Sequence, residues 1–148
     1  MRGRASEAIR ETRAALGGVM SNYEMVKQYL DEMALSIVSE DADGHTIVVE
    51  DEDNGFKNLV VDCSDPILVL EQPIMKVLKR RDELFEQLLK WNRELVHGAF
   101  VLDEAGELIL FRDTLHLEGL SRNTLEASLK ALSLALAEYS SQLLEFAK

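Results

Sequence analysis

Four short β-rich runs, 35–39, 46–50, 59–62 and 67–70, follow one another with only turn chemistry between them. The separators are Asp41-Ala42-Asp43-Gly44, Asp53-Asn54-Gly55 and Ser64-Asp65-Pro66. Connections this short join antiparallel neighbours, because a parallel pair needs a crossover of about a dozen residues. The stretch predicts a meander of three or four strands. Pro73 has no amide hydrogen for a ladder, so the last strand is expected to end near it or lie at an edge.

Helical periodicity flanks the meander. Ser21 and Glu24 form a capping-box pattern, followed by the stripe Tyr23, Val26, Leu30 and Met33. Residues 79–95 repeat Leu84, Leu88, Trp91 and Leu95 on one side and stop before Gly98. A second hairpin is expected over 99–103 and 107–112, around Glu104-Ala105-Gly106. Asn123 with Glu126 reads as the start of a last helix, in which Leu125, Leu129, Leu132, Leu136, Tyr139, Leu143 and Phe146 step by fours and threes. The spacing also suits a coiled coil, but Ala131, Leu134 and Ala135 widen the apolar face toward sheet packing. The expected class is α+β, in the order helix, meander, helix, hairpin, helix.

The 148 residues suit one domain, taken as 21–148, with 1–20 as a helical extension ending at Gly17-Gly18. Sixteen basic and 27 acidic residues give a net charge of −11, which repels phosphate backbones and anionic lipid heads. Nucleic acid and membrane are therefore not expected as partners. No apolar run is long enough to span a membrane, and a single cysteine suits a reducing compartment, so a cytoplasmic location is expected.

The chain offers little chemistry. The acidic turn 50–55 alternates oxygens before Gly55, but the twelfth position of a calcium loop would fall on Val61, and strands flank it. Cys63, His97 and Asp62 contain the elements of a thiol triad without a spacing that unites them, and acidic neighbours raise a thiol pKa. His45, His97 and His116 lack the spacing that places two ligands on one helix face. Gly17-Gly18 has no phosphate-loop context. Lys76, Lys79, Arg80 and Arg81 read as a solvated helix start or as a dock for an acidic segment. No catalytic residue, metal or cofactor is assigned.

Several strands are apolar at consecutive positions, as in Leu59-Val60-Val61 and Leu108-Ile109-Leu110-Phe111. Both sheet faces then need cover. The first and last helices are expected on one face and the middle helix on part of the other, leaving a patch that marks association, read as a homodimer.

The element order resembles the class I type III secretion chaperones, and within that superfamily the YbjN family, described in general terms as sensory-transduction regulators or Tir-like chaperones. The likeness is carried by Leu59-Val60-Val61-Asp62-Cys63-Ser64-Asp65-Pro66 within 57–72, by Asn92-Arg93-Glu94-Leu95-Val96-His97-Gly98 within 92–103, and by Phe111-Arg112-Asp113-Thr114-Leu115. The acidic final helix through 132–139 belongs with them. The resemblance implies a dimer whose middle helix and last hairpin meet the twin subunit, assigning Leu84, Leu88, Trp91 and Leu95 to that contact. It also implies a client segment held in apolar grooves, partly as an added strand. The expected function is non-enzymatic protein binding; the alternative is a regulatory domain that binds a small ligand or a signalling protein.

Overall fold

Antiparallel pairing organises the whole chain. A computed structural model describes residues 21–148; the helical extension expected over 1–20 lies outside them. Helix α1 (Asn22–Glu32) precedes the strands β1 (Ser36–Asp41), β2 (Thr46–Asp51), β3 (Phe56–Ser64) and β4 (Ile67–Lys76). Helix α2 (Arg81–Asn92), strands β5 (Ala99–Leu102) and β6 (Leu108–His116), and helix α3 (Arg122–Phe146) complete the fold. The six strands form one sheet in the order β1-β2-β3-β4-β6-β5, every neighbouring pair antiparallel. The meander has four strands, and the second hairpin joins it through β6.

Local chemistry sets the helix starts. The Ser21 hydroxyl accepts from the Glu24 amide at 3.2 Å. The last helix begins two residues earlier than expected, because Ser121 and not Asn123 takes the cap and accepts from the Thr124 amide at 3.1 Å. Asp103 organises the second hairpin by accepting from the Glu107 and Leu108 amides at 2.8 and 3.1 Å. Those bonds hold its carboxyl below the ordinary carboxylate value.

Strand alternation divides the sheet into two faces. The rows Ile47, Val61, Leu70, Asp113 and Gln72, Phe111, Phe100 look toward the helices. Tyr23, Val26 and Leu30 of α1, Leu84, Leu88 and Trp91 of α2, and Leu125, Leu129, Leu132 and Tyr139 of α3 join that face in one buried cluster. Met33, Leu95 and Leu136 are partly buried against it. Ser128, buried in α3, donates to Asp113 and ties the helix to β6. Among the described residues all three helices thus share one face. This corrects the expectation that the middle helix shelters the second: Trp91 stacks on Tyr139 with ring centroids 4.7 Å apart, which draws α2 to the side of α3. The second face carries the rows Val48, Val60, Glu71, Arg112, Ala99 and Pro73, Leu110, Val101.

Candidate functional site

The β3–β4 ladder runs for five pairs, from Ser64 opposite Ile67 to Val60 opposite Glu71. Continued in register, the ladder would set Leu59 against Gln72 and then Asn58 against Pro73. Pro73 has no N–H to offer, and Asn58 has φ of 55°, in the left-handed region. Pairing stops there. β3 continues along β2, while β4 continues along β6 as far as Lys76 opposite Leu108, with a register shift between Pro73 and Met75. The sheet therefore splits. Pro73 lies inside a strand that has become an edge on one side only, which satisfies the proline rule without ending β4.

Gln72 closes the apex of the split. Its side chain is buried and replaces a missing strand partner: Oε1 accepts from the Lys57 amide at 3.2 Å, and Nε2 donates to the Lys57 and Pro73 carbonyls at 2.6 and 2.7 Å. Beyond it opens a groove of about 730 Å³. One bank is the β2–β3 connection, Glu52 to Gly55; the other is the unpaired side of β4 at Ile74, Met75 and Lys76. The floor is α3, through Leu136, Ala137, Leu143 and Leu144. Ser133 Oγ donates to the Asn54 carbonyl at 2.9 Å and anchors the helix to the first bank. The Arg80 guanidinium lies 4.7 Å over the Phe146 ring beside the second. An apolar floor beside an unpaired strand edge suits an extended polypeptide, whose backbone pairs with the edge while alternate side chains meet the floor. Pro73 was the one signal of this site in the sequence.

The sequence-derived chemical candidates are dispersed. Cys63 is buried toward the helices while Asp62 points to the other face. Burial, then the nearby Asp62 and Asp65 charges, push the thiol up to about 12, the opposite of an activated nucleophile. His45 sits in a left-handed turn with its ring 6.0 Å from that of Tyr23, and His116 is exposed at the end of β6. The acidic turn forms a short 3-10 helix, Glu52–Asn54, with left-handed Gly55 leading into β3. Among the described residues no group of three or more His, Cys, Asp or Glu could hold a metal ion. Of the basic cluster, Arg80 pairs with Glu83 at 2.6 Å and Arg81 lies over Phe85.

Of the residues that the resemblance assigns to a subunit contact, Leu95 is partly buried within the chain. Leu84, Leu88 and Trp91 are buried within the single chain, so their side chains are already spent on its core. What α2 and its flanks expose is Leu78, Leu89 and Val96, the last two 71% and 90% exposed, with Leu102 of β5.

A family model, CesT_Tir_1, matches residues 19–148. The chain belongs to the CesT_Tir_1 family. Solved structures share the fold. YbjN from E. coli superposes with a TM-score of 0.66 at 15% identity, over 84% of this chain and 95% of its own. A chain of the HopA1–SchA chaperone–effector complex gives 0.57 at 17%, over 81% and 97%. The Yersinia pestis type III secretion chaperone SycH, solved with a fragment of YscM2, gives 0.51 at 18%, over 79% and 98%. No curated protein matches the sequence. The chain thus shares its fold with YbjN and with chains of both chaperone complexes. Among the described residues no helix is long and apolar enough to cross a membrane.

Proposed function

We propose that this chain is a non-enzymatic protein-binding domain that holds an extended segment of a partner protein and acts as a homodimer. The observation that carries the reading is the split sheet: an unpaired strand edge lies beside an apolar helix floor in a groove of about 730 Å³. Family membership and the two chaperones solved with bound proteins support it. Among the described residues no buried side-chain nitrogen or oxygen lacks a partner. The groove presents a backbone edge and an apolar floor between banks that carry Glu52, Asp53, Lys57 and Lys76, a lining that suits a polypeptide. The dimer contact is placed on the exposed side of α2 and on β5, through Leu89, Val96 and Leu102.

The test is recovery of the chain from its native host with a co-purifying protein, followed by limited proteolysis and mass spectrometry. The expected result is a single extended segment of the partner protected by the chain and lost on Leu136→Asp. Repeated recovery of the bare chain, or a partner bound without any protected segment, overturns the reading. Light scattering at micromolar concentration is expected to give twice the chain mass; a strict monomer removes the homodimer.

A further inference from the structure

Most lysines and arginines of the described residues reach a carboxylate, as Lys27 does on Glu40 and Arg112 on Glu71, and Arg81 rests on the Gly106 carbonyl and the Phe85 ring. Among the described residues, the side chains of Lys57, Lys76, Lys79 and Arg93 have no such partner. Three of these four gather at one place. Lys57 and Lys76 line the groove, and Lys79 follows on the short connection from β4 to α2. In a chain of net charge −11 acids outnumber cations, so three neighbouring cations without a carboxylate offer their charge to a group outside the chain.

Strand geometry fixes how two of them meet an occupant. Val77 donates its amide to the Glu107 carbonyl at 2.8 Å, so its backbone turns to β6. Lys76, one residue back, turns its N–H and C=O into the split. Met75 and Val77 pack on the core, which sends the Lys76 side chain to the opposite face of the sheet. Lys57 follows buried Phe56 and takes that same face at the apex. A residue that pairs with the Lys76 backbone therefore sets its side chain beside the Lys76 ammonium, with the two Cα atoms about 5.5 Å apart. Its neighbours on either side face the α3 floor at Leu136 and Leu144. Glu52 and Asp53 repel an acid from the other bank and so favour pairing against β4.

We infer, on the reading of the groove as a polypeptide site, that its occupant is an extended segment alternating apolar residues with Asp or Glu, the apolar side chains on α3 and the carboxylates beside Lys76 and Lys57. The charge of the whole chain opposes such a preference, so an acidic preference has its source in the local lysines. Three eight-residue fluorescein-labelled peptides, alternating Val with Glu, Ser or Lys, test it by fluorescence anisotropy with the full chain. The Glu peptide is expected to bind about fivefold more tightly than the Ser peptide, with the Lys peptide weakest. Lys76→Glu is expected to reverse the order of the Glu and Lys peptides while Ser-peptide affinity stays within about twofold. Arg93→Glu, at the unpartnered cation outside the groove, is expected to preserve the original order. Equal binding of all three peptides, lost on Leu136→Asp, overturns the charge pattern and keeps the groove as a polypeptide site. An order unchanged by Lys76→Glu overturns the pattern too. Binding of none of the peptides removes the groove reading and this inference together.

Discussion

Asn92, the last residue of α2, satisfies both backbone groups of Phe100: its Oδ1 accepts from the amide at 2.7 Å and its Nδ2 donates to the carbonyl at 3.1 Å. Phe100 lies in β5, the outermost strand on that side of the sheet. One carboxamide thus occupies a site where a foreign strand would start to pair. Asn92→Ala is expected to cost about 1–3 kcal/mol by leaving both groups without a partner. Urea unfolding checks the loss, and light scattering should show added self-association absent from Asn92→Asp at neutral pH.

Trp91 distinguishes a core role from a contact between subunits. It packs on Tyr139 and Phe100 within one chain, at centroid distances of 4.7 and 5.9 Å. Trp91→Ala should lower stability by about 3–5 kcal/mol. Leu89→Lys, on the exposed side of the same helix, should leave the unfolding midpoint of the monomer within about 0.5 kcal/mol and weaken the dimer. Reversal of that pattern would return Trp91 to the subunit contact.

A second pair, Tyr23 and Glu40, makes stability depend on pH in both directions. The Tyr23 hydroxyl donates to Glu40 at 2.9 Å, and Lys27 reaches the same carboxylate at 2.9 Å. Burial first, then the Glu40 hydrogen bond, push the phenol up to about 12 from its ordinary 10.0. The native state therefore holds the phenol proton more tightly than the unfolded chain. Its contribution is complete below pH 10 and is lost as pH rises through about 12. Lys27 and Tyr23 lower the Glu40 pKa below its usual 4.5, so that contribution is present above 4.5 and lost as pH falls through the lowered value. Denaturant midpoints across pH should show both slopes in the natural chain. Tyr23→Phe should abolish the alkaline one that phenol ionisation produces and reduce the acid one.

Cys63 should be nearly inert in the native state. It is buried on the helix side of β3, with its thiol pushed up to about 12. Labelling by a disulfide reagent at pH 8 should be slower by orders of magnitude than in urea, and its rate should follow global unfolding. Fast labelling without denaturant would refute the packing of β3.

Repeated local patterns were legible in the sequence. The 4,3 stepping from Leu125 to Phe146 announced α3, and the three turns between 41 and 66 announced the meander. Element ends were less legible. The register shift in β4 between Pro73 and Met75 breaks the alternation that would have extended the strand to Lys76. Ser121 and Asn123 are equally good capping residues, and only the backbone path decides between them. The side taken by α2 was hidden because amphipathicity shows that a face is buried, not which sheet face buries it. The groove was hidden for a related reason. It arises where left-handed Asn58 meets Pro73, a coincidence across 15 residues that no local window contains.

The five-rung seam from 60–64 to 67–71 also gives the sheet a mechanical character. On one side stand β1, β2 and β3; on the other β4, β6 and β5. The two wings are joined by that seam and, at its end, by the Gln72 side chain on Lys57, while α3 reaches Asn54 on one wing and Asp113 of β6 on the other. Twist at the seam therefore bears on the width of the groove. A change that tightens the seam, even one distant from the mouth, resets the thickness of whatever lies between the wings.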